Sequence, residues 1–287
     1  MAHVPPNLFR FLANLNNYPP KSKIPQTNTQ PILLLTTTGP RTILITRLEL
    51  DEYVYICPLK RAVQTPSLMG ELQILQDGAR DFGVELSENQ LALFGRFFEE
   101  LCAWNRRMNL TGISETRAMI IRLLLEPLVA LSYLPAYGTL VDVGSGAGIP
   151  GIPLKIARHS LEVHLLESRA KKVSFLKHVI RELGLTGITA SRGRAEKRPA
   201  QPELMSCYNV VTARALAPLK KTLGLCYPYI REGGLLITYK GSRVNDEIKE
   251  SAGSLEELRL LIDKVVPYNL PEIEGQRYLV IVRREIG

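Results

Sequence analysis

The sequence predicts an α/β protein, a mostly parallel, doubly wound sheet of seven strands preceded by a helical part. Three observations carry that expectation. Beyond residue 139, short apolar runs alternate with segments of helical character, the rhythm of repeated βαβ units. The first of those runs breaks into glycines at alternate positions and resumes as a helix, the sequence form of a strand-turn-helix cradle. Residues 70–133 instead carry apolar residues at helical spacing, with cap signals between the runs. The expected organisation is an N-terminal extension over 1–68, a helical part over 69–135 and a Rossmann-like domain over 136–287.

The extension reads differently from all that follows. It holds nine of the nineteen prolines, and prolines block helices and fragment strands. Two β-prone runs, Ile32-Leu33-Leu34-Leu35 and Thr42-Ile43-Leu44-Ile45, flank Gly39-Pro40 and suit a marginal hairpin. Because Met69 stands just before a clean helical pattern, the segment is expected to be either a disordered tail or an upstream misreading of the start codon.

In the helical part, Leu72, Leu75, Ala79 and Phe82 make one apolar stripe that ends at Gly83. Ser87-Glu88-Asn89-Gln90 is a capping-box pattern, behind which Leu91, Phe94, Phe98, Leu101 and Trp104 share a helical face. A third helix is expected from about Ser114 to Tyr133, kinked at Pro127. Strands are expected at Leu140 to Val143, Val163 to Leu166, Ile188 to Ala190, Val210 to Ala213 and Leu235 to Tyr239. A closing hairpin is expected around 260–266 and 278–282.

The stretch Leu140-Val141-Asp142-Val143-Gly144-Ser145-Gly146-Ala147-Gly148-Ile149-Pro150-Gly151 organises the domain. Glycines let backbone turn sharply and approach a ligand where a Cβ would clash. The following helix aims free amides at the turn, which favours a ligand carrying acceptors or negative charge. The register from Gly146 to Gly151 satisfies GxGxxG, so a nicotinamide dinucleotide and S-adenosylmethionine compete for the loop. A carboxylate at Asp142 repels a pyrophosphate and favours a ligand with ammonium and sulfonium charges, which leans towards the second. Glu167 closes the second strand at about the ~20-residue spacing expected of a ribose-binding acid, a need both cofactors share.

Composition narrows the classes. The 287 residues, 45% of them hydrophobic, suffice for a large core and an appendage. No run is long and apolar enough for a membrane span, and the N-terminus lacks a cleavable apolar segment, so the expected location is cytoplasmic. Cys57, Cys102, Cys207 and Cys226 form no CxxC pair, and His159, His164 and His178 show no ligand spacing, so no metal is expected. Of the net charge of +8, four units belong to residues 1–68, which hold seven Lys and Arg against three acids. A nucleic-acid partner must then be sought in local clusters. Arg192, Arg194, Lys197 and Arg198 crowd the third strand's exit, either as phosphate contacts or as a solvated basic loop.

Taken with Leu165-Leu166-Glu167-Ser168, Lys171-Lys172, Phe175-Leu176, Thr212-Ala213-Arg214-Ala215, Tyr239-Lys240-Gly241 and the helical-part residues Asn105 and Asn109-Leu110-Thr111, the glycine stretch resembles the ribosomal RNA small subunit methyltransferase G family. That family is also called glucose-inhibited division protein B. The resemblance runs from about Met69 to the C-terminus. It implies a Rossmann-like class I methyltransferase that uses S-adenosylmethionine to methylate N7 of a guanine in 16S rRNA, with rRNA or the small ribosomal subunit as partner. It further implies cofactor contacts at Gly144, Ile149, Ala195, Glu196 and Arg214, and RNA contacts at Arg214 and Lys240. Where relatives often have Arg-His and Asp-Ser in the third helix, this chain reads Arg122-Leu123 and Glu126-Pro127, so no substrate role is carried over to that helix.

The chemistry asks little of the side chains. Guanine N7 is an unprotonated acceptor, so attack on a sulfonium methyl needs no general base, and no catalytic acid or base is assigned. Gly144, Gly146 and Gly148 are expected to shape the loop, Asp142 to stabilise the methionine end, and Glu167 the ribose. Two rival readings stand beside this one: a nicotinamide-dependent oxidoreductase, and a non-catalytic ribosome-assembly factor that binds S-adenosylmethionine.

Overall fold

The computed structural model describes residues 34–38, 41–45, 57–59, 66–195 and 205–287, in two units divided between Ala62 and Val63. In the first unit β1 (Leu34–Thr38), β2 (Arg41–Ile45) and β3 (Cys57–Leu59) form an antiparallel sheet in that order. The pairing Leu35↔Leu44 joins the two apolar runs that flank Gly39-Pro40. The third strand contains Pro58, and no sequence pattern announced it. The rest of this segment, and with it the expectation of a disordered tail or misread start, lies outside the described residues.

The second unit begins with α1 (Pro66–Asp81), which buries Leu75 and Ala79, two members of the expected stripe. Helix α2 (Glu88–Met108) starts at the expected capping box, with the Ser87 hydroxyl accepting from the Gln90 amide and the Gln90 side chain accepting from the Ser87 amide. It ends at Asn109, whose left-handed conformation suits an asparagine stop.

The third helix, α3 over residues 116–133, changes pitch along its length. A turn of α-helix at Thr116–Met119 gives way to π-helix at Ile120–Leu125 and then to 3-10 helix at Glu126–Tyr133. Pro127 has no amide hydrogen to continue a regular ladder, and the Glu126 amide reaches back to the Ile121 carbonyl. The irregular stretch is apolar nearly all round, and Ile120, Ile121, Leu124, Leu125 and Leu128 are all buried.

Seven strands follow: β4 (Gly138–Val143), β5 (Leu161–Glu167), β6 (Ile188–Arg192), β7 (Tyr208–Arg214), β8 (Ile230–Lys240), β9 (Leu260–Leu270) and β10 (Ile273–Arg284). Their order is β6-β5-β4-β7-β8-β10-β9. All pairings are parallel except those of β10, which runs against both neighbours and closes the sheet as the expected hairpin. Helices α1 to α3 pack on one face with α4 (Gly151–Ala157) and α5 (Ala170–Leu183). The other face carries α6 (Leu219–Cys226) and α7 (Val244–Glu257). The strand order reverses at β4, and the carboxyl ends of β4, β5 and β7 meet there, the place where open α/β sheets bind ligands.

One buried carboxylate ties the helical part to the sheet. Glu126 is fully buried and accepts from Arg214 Nη2 at 2.6 Å, Arg277 Nη1 at 2.9 Å and the Tyr268 hydroxyl at 2.8 Å. Burial and the Glu126 charge hold the Tyr268 hydroxyl protonated far above its ordinary range. A second tie runs from the Tyr239 hydroxyl to the Pro127 carbonyl, 2.9 Å. Removing the carboxylate leaves two guanidiniums without their counter-charge. Glu126→Ala is expected to cost about 3–5 kcal/mol in chemical denaturation, a loss on the scale of a broken buried ion pair.

Candidate functional site

The glycine loop is suspended between two carboxylates. On one side Glu167, at the end of β5, accepts the Gly146 amide through Oε2 at 2.9 Å and the Arg169 amide through Oε1 at 2.7 Å. On the other, Asp142 in β4 accepts the Gly151 amide at 3.1 Å and the Thr212 hydroxyl at 2.9 Å. The loop also hangs from β5 by the Gly144 and Ser145 amides, both donating to the Leu166 carbonyl. Gly146 has φ +57°, and a Cβ built there would meet nothing closer than Lys172 Nζ at 3.7 Å, so the backbone is bare towards open space. Gly151 is required for the opposite reason. A Cβ there would run into the Leu165 side chain, because α4 sits directly on β5.

Above the loop lies a cleft of about 280 Å³, lined by Gly144, Gly146, Glu167, Arg169, Lys172 and Ala195 together with Leu216 and neighbouring backbone. It unites four of the sequence-predicted residues, Gly144, Gly146, Glu167 and Ala195. Glu196 lies outside the described residues. Gly148 and Ile149 do not line the cleft; their amides close the turn on the Ser145 carbonyl, and Ile149 is buried.

Three other residues sit differently from expectation. Asp142 was expected to face the ligand's cationic end, but it is 1% exposed, with Oδ2 accepting the Gly151 amide behind the loop and Oδ1 accepting the Thr212 hydroxyl of β7. The free amide at the start of α4 folds back over β4 and captures it. Arg214, expected at cofactor and RNA, turns its guanidinium to Glu126 and does not line the cleft. Lys240, expected at RNA, is buried and donates to Glu247 Oε2 at 2.8 Å and to the Ala217 carbonyl at 3.0 Å. The same Glu247 oxygen accepts the Leu219 amide at 2.6 Å, so Lys240 and Glu247 together clamp the loop after β7. That loop places Ala215, at φ +51°, and Leu216 on the cleft, with Leu216 close over Gly144.

Sequence reasoning missed Arg169 and Lys172 as cleft residues. Their position in the turn and first helical turn after a strand-ending acid was the available signal. Leu216 and Gly193 carried none, since only the alignment of strand ends brings them in.

The cleft fits S-adenosylmethionine. Gly146 offers bare backbone where a ligand can approach, and Glu167 Oε2, which accepts only the Gly146 amide among the described residues, keeps acceptor capacity for a ribose hydroxyl. Among the described residues no cluster of His, Cys, Asp or Glu could hold a metal ion, and no helix is long and apolar enough to cross a membrane.

A sheet in this order with one reversed strand, a glycine turn after its central strand and an acid ending the next one, defines a class I S-adenosylmethionine-dependent methyltransferase. The family model described as rRNA small subunit methyltransferase G matches residues 90–280. Proteins named ribosomal RNA small subunit methyltransferase G are similar along most of their length. The one from Roseiflexus sp. (strain RS-1) is 39% identical over 213 residues, 74% of this chain and 91% of that protein. Those from Lachnoclostridium phytofermentans and Chloroflexus aggregans are 37% and 39% identical, over 72% and 74% of this chain and 86% and 89% of theirs. The chain belongs to the ribosomal RNA small subunit methyltransferase G family. The nicotinamide alternative falls with that result.

Two outcomes test the site. Gly146→Asp forces a side chain into a left-handed position and sets a second carboxylate beside Glu167, so calorimetry is expected to show cofactor binding abolished. Asp142 is a pH-dependent element, because burial raises its carboxyl from 3.8 to about 7. The folded chain keeps a proton that the unfolded chain releases above about pH 4, so this stabilisation is complete below that pH and is lost as pH rises through about 7. An Asn there does not titrate, keeps an oxygen to accept the Gly151 amide, and sets its own amide group towards the Thr212 hydroxyl, which can accept as well as donate. Melting temperatures of Asp142→Asn relative to the parent are therefore expected to rise with pH between about 4 and 7, then level off.

Proposed function

We propose that the chain transfers a methyl group to N7 of a guanine in 16S ribosomal RNA, with S-adenosylmethionine held in the cleft beside Gly146 and Glu167. The observation that carries the reading is the family match over residues 90–280, which contains every described residue of the cleft. When bound, the cofactor supplies an electrophilic methyl group on a sulfonium. Glu167 holds the ribose hydroxyls, the bare face of Gly146 admits the close approach, and Leu216 covers the loop from the β7 side. Asp142 acts from behind, fixing the turn to β7 and α4 instead of touching the ligand.

The acceptor asks for no proton transfer, because N7 of guanine carries none. The cleft is consistent with this. Glu167 is the one carboxylate among its described lining residues, and backbone amides already engage both its oxygens. Catalysis by alignment then suffices, with effective concentration replacing general-base help. The substrate places the chain in the cytoplasm, with the small ribosomal subunit or its RNA as partner.

Comparing nucleoside masses in 16S rRNA from cells with and without the gene tests the reading. One 7-methylguanosine is expected to disappear with the gene and return when purified protein and S-adenosylmethionine are added to the RNA or to subunits. An unaltered nucleoside profile would leave the chain a binder without transfer activity.

A further inference from the structure

Two groups of cations bear on where an acidic substrate docks. Arg80, Arg117, Arg181, Arg214, Lys240, Arg277 and Arg283 all form ion pairs with carboxylates. A second set forms no ion pair among the described residues, and several of its members lie together. Arg169 and Lys172 line the cleft mouth. Arg192 is fastened beside them, its Nε donating to the Ser168 carbonyl at 3.2 Å, and Arg194 follows one residue after Gly193 of the cleft wall.

The packing of α2 against α5 extends this group. The two helices run antiparallel, as an ordered ladder of contacts shows: Arg96 donates to the Glu182 carbonyl, Glu100 meets His178 at 2.8 Å, and Trp104 lies against Phe175 with ring centres 5.5 Å apart. In that register the end of α2, with exposed Arg106 and Arg107, points towards the end of α5 that begins at Ala170 and carries Lys171 and Lys172. A basic ridge thus runs from the end of α2 across the start of α5 to the end of β6, passing the mouth of the cleft. It is built from three elements distant in sequence.

We infer that this ridge docks the phosphate backbone of the RNA substrate, and that Arg106 and Arg107 form its outer end, away from the methyl-transfer site. The inference rests on the proposed RNA substrate and adds where that RNA lies. Unpaired guanidiniums on a firm helical support suit phosphate oxygens, which they contact without reading bases. A protein surface or a membrane headgroup layer would also meet cations here. Two features favour RNA: the ridge abuts the cleft in which an RNA base has to be presented, and it follows a line across the fold.

The experiment measures binding of a 16S rRNA fragment at several salt concentrations for the parent and for Arg106→Gln/Arg107→Gln, beside the paired-cation control Arg80→Gln. The double variant is expected to lower the slope of log affinity against log salt by about one to two, and to raise KM for RNA with kcat and the calorimetric cofactor affinity unchanged. The control is expected to keep the parental slope. A parental slope and KM in the double variant, with a native circular dichroism melt, would overturn the inference. So would equal losses in the control, which would mean a diffuse charge effect. Because binding and cofactor affinity are read without turnover, a parent that binds RNA on this ridge but transfers no methyl would count against the proposed function and leave the ridge standing.

Discussion

The site depends on two strand-borne carboxylates that hold one glycine turn by its amides. Hydrogen bonds from amides to charged or partly charged acceptors are worth about 1.5–3 kcal/mol each, and the turn has them on both flanks. Glu167 reaches it from β5 and Asp142 from β4, and the carboxyl ends of these adjacent strands lie at one edge because their pairing is parallel. A turn held from both sides keeps its bare face in place without a ligand. Such preorganisation matters most for a reaction in which alignment is the main contribution of the protein.

The same logic extends outward through buried ion pairs that serve geometry more than stability. Glu126 joins α3 to β7, β9 and β10, and its arginine on β7 stands one residue before the cleft-lining Ala215. Lys240 and Glu247 fix the loop that follows. Buried pairs of this kind gain little over apolar packing, yet they demand one arrangement of several elements at once. Here the demand falls on the segment whose Leu216 closes over Gly144. Cations engaged in such pairs are unavailable to a substrate, and the proposed docking surface consists of others.

Helix α3 shows how a local irregularity serves this arrangement. Its wide π-helical turn leads into a tight 3-10 stretch at Pro127, and Glu126 occupies the junction. A regular helix would point that side chain elsewhere around the axis. The change of pitch delivers the carboxylate to the two arginines, while Leu125 of the π-helical turn comes close enough to α1 that Gly78 has no room for a side chain.

Much of this protein was legible in its residues. The alternation of apolar runs specified the strands, the capping box specified where α2 begins, and the spacing of Gly144, Gly146 and Glu167 specified the floor of the cleft, because each of these depends on local periodicity or local backbone freedom. Asp142, Arg214 and Lys240 were recognisable as chemically significant, but their partners were not. Each is satisfied by a partner supplied from elsewhere in the chain: Gly151 and Thr212, Glu126, and Glu247. A charge brought near a strand end turns to whatever lies closest in space, and sequence spacing does not encode that distance. The amino-acid sequence by itself determined the elements and the turn that can accept a ligand. The tertiary structure alone decided which cations are neutralised inside, because desolvation and pairing are set by neighbours that the chain brings together only on folding.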